Sequence, residues 1–583
     1  MKRILQNIAL TLITFFAVCL HHAEAQVKEV AAPKWVAKNQ KAIFSLLTYD
    51  KEGNLLHSGT GFYIGNGGEA VADYNLFRDA YKATAMDMNG TKSEVTLILG
   101  ADDTYGLVRF LVGTKKNAVL TPAQTPAQTG SPVWIVSYSN RKIATCPTAT
   151  ISDTSSVSGK YPYYTLSEEI GDNYIGSPVF NTSGELVGIV QHPSSKKGYA
   201  LGIAFAEELK IQAISSKSAT LALSNIHLRK GLPESMEEAL VYLYFKSRSA
   251  GNEEYIDLLN QFVTAYPNNA EGYFRRSTPL TDMQRFDEAD SDLQNYLRLA
   301  EDKVAANANV AQAIQQKLVY QPEAVYEKWN FDVALGYIDK AIELEKNRIA
   351  TNGNEKSSAT LLDCQLRKTQ ILMSKKDYDA AIAIYNELNG SEHRAPAIYY
   401  ASALAHAGRG DSLSIQIEML DSALALFPDP LPAEAATYVL YRGKLYEEAG
   451  RYREAVVDYD KFCYLSNNKV NAAFYYDRSQ VEIKARMYQQ ALDDLNAAIA
   501  LAPRESLYHV EKSALLLRVN QIDGCIEAAK ECVSLNPQQP DAYRIMGYAY
   551  LQKGDKAEAK KNLERAKELG DETAQEIMNQ YMK

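Results

Sequence analysis

Two kinds of hydrophobic periodicity divide the chain near residue 232. Before that point, short apolar or alternating runs, such as residues 42–47, 107–111 and 133–136, are separated by clusters of Gly, Pro, Asn and Asp. Short strands at such spacing are typical of an all-β sandwich or barrel. After residue 232, apolar residues recur with the 3.6-residue period of amphipathic helices. The pattern therefore predicts an all-β region followed by an all-α region.

The helical region contains a repeating unit. The interval from Ala491 to Cys525 equals that from Cys525 to Ala559, and it also separates Pro503 from Pro537. This spacing resembles that of tetratricopeptide repeats, whose unit is a helix–turn–helix of about 34 residues. The resemblance implies that a small residue on the second helix lets it pack closely on the first. Gly443 and Gly547 match the small site on the first helix.

Following the small position along the chain predicts about nine repeats within residues 232–570, and a polar capping helix over residues 571–583. The steps into Ala334 and Ala381 are longer than the others, which predicts insertions or extended helices there. Tyr255 and Gln416 depart from the small-residue pattern. The nine positions are Tyr255, Ala289, Ala334, Ala381, Gln416, Ala455, Ala491, Cys525 and Ala559.

A stack of such repeats forms a groove lined by the first helix of each pair. Aromatic and cationic side chains in that groove suit the capture of a protein or peptide partner. A basic clamp for a C-terminal carboxylate is not recognisable, so no such ligand is predicted. The predicted peptide-binding groove residues are Lys444, Tyr476, Gln480, Ile483, Lys484, Arg544, Tyr548 and Leu551.

Four segments in order carry the most specific signal of the β region. They read Gly-Thr-Gly-Phe-Tyr-Ile at 59–64, Val-Ala-Asp-Tyr-Asn-Leu at 71–76, Asp-Thr-Tyr-Gly-Leu-Val at 103–108, and Asn-Tyr-Ile-Gly-Ser-Pro-Val-Phe at 173–180. In order and spacing they resemble the landmark segments of trypsin-like serine proteases. The resemblance implies two six-stranded β-barrels with a catalytic cleft between them, in a domain over residues 40–215.

The three catalytic positions that this resemblance implies hold other residues. Asn75 stands at the His position, Gly106 at the Asp position and Ile175 at the Ser position. A triad needs a nucleophile, a base and a carboxylate that orients the base. The oxyanion hole is also in doubt, because Asn173 stands where the family has Gly. The sequence therefore predicts a pseudoprotease with no catalytic residues.

A displaced nucleophile is the alternative. Ser177 lies two residues after the Ser position, where we interpret it as the small residue before Pro178. A nucleophile must meet its base within about 3 Å, and a shift of two residues moves the hydroxyl by several ångströms. Aligning residues 171–172 with the family's Gly-Asp instead places Asn173 at the Ser position and still yields no nucleophile. His192 is predicted to lie in an exposed loop.

Charge and cysteine content exclude several other functions. The formal net charge is −9, and no basic cluster is interleaved with aromatic residues, so no nucleic-acid partner is expected. Five cysteines follow residue 25. An odd number of widely spaced cysteines does not fit a disulfide framework. No Cys/His spacing suggests zinc. We therefore predict neither a metal nor a cofactor.

Residues 1–25 read as a signal peptide. Lys2 and Arg3 precede an apolar run over residues 8–20, and residues 23–25 form an Ala-Glu-Ala cleavage site. The run is too short for a typical membrane span, and no later apolar run approaches the length of about 18 residues that a span requires. The sequence predicts an exported chain that begins at Gln26 and is periplasmic or envelope-associated in a bacterium.

Two stretches are predicted linkers: residues 26–39 and 216–231. Three functions fit the whole pattern. The first is an exported non-catalytic scaffold whose repeats bind a protein or peptide partner. The second is an atypical serine endopeptidase whose repeats recruit substrates. The third is a repeat region that alone carries the function, with the β domain setting geometry.

Overall fold

The structure is a computed structural model, and the signal-peptide prediction lies outside the residues that it describes. Those residues are 28–192, 197–214, 217–352 and 355–581. The chain divides into two compact units, residues 1–300 and residues 301–583.

The β region lies in the first unit. Its strands are β1 (Glu29–Ala31), β2 (Ile43–Tyr49), β3 (Leu55–Tyr63), β4 (Glu69–Asp73), β5 (Lys82–Met86), β6 (Lys92–Asp102), β7 (Leu107–Val112), β8 (Pro132–Ile135), β9 (Thr145–Val157), β10 (Tyr161–Leu166), β11 (Pro178–Phe180), β12 (Leu186–Gln191) and β13 (Tyr199–Gly202).

Two antiparallel barrels of six strands each form this region. The first closes in the order β2-β3-β4-β7-β6-β5, and the second closes in the order β9-β10-β13-β12-β11-β8 through the pairing of β8 with β9. After two buried residues at the start of each strand, buried and half-buried residues alternate along β2 and β7, as the period-2 pattern predicts. Phe44 and Phe110 lie in the core of the first barrel, and Tyr164 and Val190 lie in that of the second.

Both stretches that the sequence suggests as linkers contain ordered elements on the barrels. Strand β1 pairs antiparallel with β9, and a short helix α1 (Val36–Asn39) follows it. Downstream of the barrels, helix α2 (Lys217–Ser224) and Leu228 contribute to the core of the first barrel. The N–H of Gly231 donates a hydrogen bond of 2.8 Å to the carbonyl of Ile98 in β6.

Paired helices follow. They are α3 (Met236–Lys246), α4 (Asn252–Ala265), α5 (Ala270–Asp282) and α6 (Phe286–Leu299) in the first unit, and α7 (Lys303–Tyr320), α8 (Phe331–Asn352), α9 (Glu355–Lys375), α10 (Tyr378–Asn389), α11 (Pro396–Arg409), α12 (Leu413–Leu424), α13 (Ala436–Glu448), α14 (Tyr452–Leu465), α15 (Ala472–Lys484), α16 (Tyr488–Leu501), α17 (Ser506–Arg518), α18 (Ile522–Leu535), α19 (Pro540–Lys553), α20 (Lys556–Glu568) and α21 (Glu572–Tyr581) in the second.

The nine positions picked from the sequence share one place in these pairs. Each lies three residues after the first residue of the second helix of a pair, and each is at most 9% exposed. Helices α14, α16, α18 and α20 each follow a residue with positive φ, at Gly450, Arg486, Asn520 and Gly554. That left-handed residue ends the first helix and turns the chain into the second.

Local packing accounts for the departures from a constant repeat length. Helices α7, α8 and α9 run for 18, 22 and 21 residues, which lengthens the steps into Ala334 and Ala381. Gly547 marks the close crossing of α19 and α20, since a Cβ there would lie 2.7 Å from Cγ of Leu563. The double barrel followed by paired helices confirms the predicted fold class.

Two searches over the described residues gave negative results. No helix in these ranges is both long and apolar enough to cross a membrane. No group of three or more His, Cys, Asp or Glu side chains in the same ranges is placed to hold a metal ion.

Candidate functional site

The turn after β4 carries Asn75, the residue that the sequence predicts at the His position. Strand β4 ends at Asp73, and one turn of 3-10 helix spans Tyr74–Leu76. The Asp73 carboxylate accepts a hydrogen bond of 2.9 Å from the backbone N–H of Asn75, as Asp commonly does before a helical turn. Asn75 is therefore held at the rim of the first barrel, with its side chain half-buried.

The residue at the predicted Asp position is Gly106, and the carboxylate of Asp73 borders it. Gly106 has a φ of 62°, and a Cβ there would lie 3.5 Å from Oδ2 of Asp73 and 3.8 Å from Oε1 of Gln191. The carboxylate that borders this position therefore comes from Asp73, the last residue of β4. Glycine also fits the left-handed backbone there without steric cost.

His192 approaches the same carboxylate from the second barrel. It follows the last residue of β12, and its Nε2 lies 3.2 Å from Oδ2 of Asp73 and 2.8 Å from Nδ2 of Asn75. The prediction of an exposed loop was incomplete, because the side chain is 52% exposed yet the ring contacts both residues. The contact joins residues from opposite barrels, and no local sequence signal indicates it.

Burial dominates the electrostatics of this cluster. Asp73 is 4% exposed, and burial raises the pKa of its carboxyl, while the charge of His192 and the hydrogen bonds from Asn75 oppose the rise. Gln191 is 7% exposed, and its Nε2 has no hydrogen-bond partner among the described residues. The cluster thus brings together a carboxylate, an imidazole and two amides. The sequence analysis placed Asn75 and Gly106 at catalytic positions and His192 in an exposed loop, and it did not single out Asp73 or Gln191.

The predicted Ser position lies in a tight turn, and its own N–H bonds within that turn. A 3-10 helix spans Asp172–Tyr174, and Ile175 follows it. The N–H of Ile175 donates to the carbonyl of Asp172 at 3.1 Å, and that of Ser177 donates to Tyr174 at 3.0 Å. An oxyanion hole needs N–H groups that point at the developing charge, and the N–H of Ile175 points back into the chain instead.

Ser177 lies inside the protein. Its side chain is fully buried, and its Oγ lies 2.7 Å from Oγ of Ser137. Its neighbour Gly176 has a φ of 76°, and a Cβ there would lie 3.3 Å from Cβ of Asp73. The hydrogen bond of Ser177 is therefore to another hydroxyl, whereas the imidazole of His192 bonds to Asp73 and Asn75.

Five of the eight predicted groove residues lie on α13 and α15. Lys444 and Gln480 line a cavity of about 320 Å³ between these two helices. Nζ of Lys484 forms an ion pair of 3.2 Å with Glu447, and the ring of Tyr476 lies 5.3 Å from that of Tyr508 on α17. Ile483 packs against the buried cluster formed by α16 to α19.

The other three predicted groove residues contact the last helix, α21, or Asp571 just before it. Arg544 forms an ion pair of 2.7 Å with Asp571, and the ring of Tyr548 lies 6.2 Å from that of Tyr581. Leu551 packs on the apolar cluster shared by α20 and α21. Helix α21 thus packs on the ninth pair, where a further repeat would stack. These three side chains therefore have partners within the protein.

A repeated Arg–Asp pair was missed by sequence reasoning. Arg276 with Asp292, Arg442 with Asp458, and Arg478 with Asp494 each form two hydrogen bonds between the first and second helix of one pair. The residues of each pair are 16 positions apart. Each Arg also bonds to a side chain of the preceding helix: Asn260, Asp421 or Asp460. The constant spacing is a signal that the sequence does contain.

Comparison with known families agrees with both regions. A family model for the trypsin-like peptidase domain matches residues 59–189, and one for a tetratricopeptide repeat matches residues 540–569. The chain therefore contains a trypsin-like peptidase domain near its N-terminus, followed by tetratricopeptide repeats. This confirms both resemblances that the sequence suggested.

Similar proteins match parts of the chain. A DnaJ protein P58IPK homolog of Arabidopsis thaliana is 24% identical over 310 residues, which cover 50% of this chain and 60% of that protein. A TPR repeat-containing protein of Methanocaldococcus jannaschii is 32% identical over 81 residues, 14% of each chain. The chain thus spans less than two thirds of the length of either relative.

Two solved structures are also similar to parts of the chain. A serine endoprotease from Yersinia pestis is 20% identical, with a TM-score of 0.26, and the match covers 30% of this chain and 62% of that one. The structure of MamA is 26% identical, with a TM-score of 0.25, and the match covers 30% of this chain and 96% of that one.

Proposed function

We propose that this chain is an exported scaffold whose trypsin-like domain is not catalytic and whose tetratricopeptide repeats bind a protein or peptide partner. Tetratricopeptide repeats are generally protein-interaction modules, and those of the second unit expose a lined cavity between α13 and α15. The export part of the proposal rests on the signal-peptide pattern of residues 1–25. A periplasmic or envelope-associated location follows from it.

One observation carries the non-catalytic part of the proposal. Ile175 stands at the Ser position, and the adjacent candidate, Ser177, is fully buried against Ser137. A nucleophile must reach both its base and the substrate carbonyl. The imidazole of His192 is engaged with Asp73 and Asn75 instead. Loss of a triad costs roughly six orders of magnitude in turnover.

The second candidate function is an atypical endopeptidase with a rebuilt base. The contact of Asp73 with His192 favours it, since a carboxylate that orients an imidazole is the base half of a triad. This function requires a nucleophile, and it predicts that hydrolysis disappears in His192→Ala. This function would also require the buried Ser177 hydroxyl to become accessible from the cleft between the barrels.

Site-specific photo-crosslinking tests partner binding. A photoreactive amino acid replaces Gln480, which lines the cavity, or Asp493, an exposed residue on α16. The protein is crosslinked in the bacterial envelope. We expect a discrete adduct with another protein from position 480 and none from position 493. Equal adducts from both positions, or none from either, would contradict a partner-binding groove.

N-terminal sequencing tests export. Protein recovered from the envelope fraction is expected to begin at Gln26. Recovery from the cytoplasm with residues 1–25 still attached would contradict the localisation.

A further inference from the structure

A groove along α7, α9 and α11 is lined by uncharged side chains. These are the first helices of three successive pairs, and together with one residue of α10 they line a cavity of about 460 Å³. That volume lies within the range of about 300–1,000 Å³ that is typical of ligand sites. None of the described residues that line it is charged. We call it the α7–α11 groove; the argument uses its residues Gln315, Gln316, Val319, Gln370, Ser374 and Leu404.

The cations that flank the α9 part of this groove are already paired. Arg367 pairs with Asp363 at 2.8 Å, and Lys375, which follows Ser374, pairs with Asp332 at 2.6 Å. A charged group that entered the groove would therefore lose its hydration without meeting an unpaired opposite charge there, and burial of an unpaired charge is strongly unfavourable. The charge pattern thus favours an uncharged occupant.

Large apolar side chains of the groove are exposed to solvent. They are Val319 and Tyr320 on α7 and Leu404 on α11. Single exposed apolar residues are common on protein surfaces, whereas apolar residues grouped in a concave site mark an interaction surface. Burial of these three side chains against an apolar side chain of a ligand would stabilise a complex.

Glutamine side chains supply the polar groups of the groove. Nε2 of Gln315 donates a hydrogen bond of 3.0 Å to Oγ of Ser374, which links α7 to α9. The exposed amides of Gln316 and Gln370 form no hydrogen bond within the described part of the chain. A glutamine amide carries both N–H donors and a carbonyl acceptor, the same groups that a peptide bond presents. An extended polypeptide can use these amides, whereas a hydrocarbon chain cannot.

Resting on the proposed partner-binding role of the repeats, we infer that the α7–α11 groove binds an extended, uncharged segment of the partner protein. Its backbone bonds to the glutamine amides, and a bulky apolar side chain packs against Val319 and Leu404. The partner segment is therefore selected for the absence of charge at this site. This differs from the sequence interpretation, in which cationic groove residues such as Lys444 and Arg544 meet the ligand.

Fluorescence anisotropy with three labelled peptides tests the inference on residues 26–583. The peptides alternate Ser with Leu, with Lys or with Glu. We expect the Leu peptide to bind at least about tenfold more tightly than the other two, because only its side chains enter the groove without loss of a hydrated charge. Its affinity should not fall as salt concentration rises, since no ion pair forms.

A fourth peptide tests recognition of the backbone. It has the Leu sequence with N-methyl groups on alternate peptide bonds, so it has lost half of its N–H donors. We expect it to bind about tenfold more weakly than the unmethylated Leu peptide, because glutamine carbonyls lose their donors. Equal affinity of these two peptides would contradict the role of the amides.

A charge placed in the groove should abolish the preference. Val319→Glu puts a carboxylate on α7, and it should weaken binding of the Leu peptide at least about tenfold. The matched control is Val457→Glu on α14, a second helix: Val457 is 50% exposed and Val319 is 46% exposed. The control should bind as the parent does. Both changes lie at exposed helical positions, so thermal unfolding should show similar stability for the two variants.

Stronger binding of the Lys or Glu peptide, equal binding of the Leu peptide to the two variants, or no binding of any peptide would overturn the inference. Self-association of the parent that Val319→Glu abolishes would assign the groove to a second copy of the chain and would overturn it too. The crosslinking experiment at Gln480 reports on the proposed function separately, because Gln480 lines a different cavity, between α13 and α15.

Discussion

The carboxylate of Asp73 lies 3.2 Å from Nε2 of His192, although the two residues belong to different barrels. The same carboxylate caps the turn that holds Asn75 and fills the space beside Gly106. This carboxylate and this imidazole lie outside the three positions that the sequence predicts for a trypsin-like triad.

Restoring the family's residue at position 106 should destabilise the domain. The Gly106→Asp side chain would start 3.5 Å from Oδ2 of Asp73, so two carboxylates would share one buried site. We expect Gly106→Asp to lower the free energy of unfolding by about 1–3 kcal/mol more than Gly106→Asn. Asn has the same shape without the charge and tolerates the left-handed backbone.

Urea unfolding compares Gly106→Asp with Gly106→Asn, each made in the parent and in the Asp73→Asn background. This double-mutant cycle checks whether the cost comes from the Asp73 carboxylate. In the Asp73→Asn background the difference between Asp and Asn at position 106 should vanish. An unchanged difference would show that the cost comes from the backbone and not from the neighbouring carboxylate.

Local and periodic features of this fold could be predicted from the sequence. The constant period of the repeat places Ala491, Cys525 and Ala559 on the packed face of second helices, because burial of a small residue at a helix crossing is a local requirement. The turn before each second helix follows equally local rules. The β-barrels could be inferred because short alternating strands and Gly-rich turns repeat along the chain.

Contacts between distant segments could not be predicted in this way. His192 lies 119 residues after Asp73, and only the packing of the two barrels brings them together. Arg544 matches a groove position of the repeat, yet Asp571 on the following turn binds it. The sequence suggests a linker at residues 216–231, but Leu228 belongs to the core of the first barrel.

The repeated Arg–Asp pairs should stabilise the helical region strongly. Arg478 forms two hydrogen bonds with Asp494 and one with Asp460, and its side chain is 12% exposed. Arg478→Ala leaves the buried carboxylate of Asp494 without its partner, so we expect a loss of about 3–5 kcal/mol. Hydrogen exchange of peptides from α15 and α16 measures this loss locally.

Lys561→Ala is the control for that variant. Lys561 pairs with Glu558 at the surface, where both side chains are well exposed. The change should cost less than about 1 kcal/mol. A loss from Arg478→Ala no larger than that of the control would argue against a structural role for the Arg–Asp pairs.

Glu482 should make the helical region less stable at alkaline pH. Burial, with the charge of Asp494, raises the pKa of its carboxyl from 4.5 to about 8. A raised pKa means that folding favours the protonated form. The resulting stabilisation is complete below about pH 4.5 and is lost as the pH rises through about 8. Glu482→Gln keeps a neutral side chain at every pH.

Urea unfolding at pH 5 and pH 9 therefore compares Glu482→Gln with the parent. The variant should be more stable than the parent at pH 9, by up to a few kcal/mol, and close to it at pH 5. Glu527→Gln, an exposed change on α18, should follow the parent at both values. A constant offset between Glu482→Gln and the parent would contradict the titration of a buried carboxyl.

Two glycine substitutions should act in opposite directions. Gly547→Ala places a methyl group 2.7 Å from Cγ of Leu563 and 3.2 Å from the carbonyl oxygen of Ala559, so overpacking should cost about 1–3 kcal/mol. Gly336→Ala, inside α8, meets nothing within 4 Å and should stabilise by about 0.5–1 kcal/mol. Thermal unfolding compares them. Stabilisation by Gly547→Ala would contradict the close crossing of α19 and α20.

Digestion of unfolded casein by purified residues 26–583 tests the central claim most directly, run beside Ser177→Ala and His192→Ala. The proposed scaffold predicts that casein stays intact with all three proteins. Cleavage by the parent that disappears in either variant would contradict the claim and would identify an enzyme with a rebuilt active site.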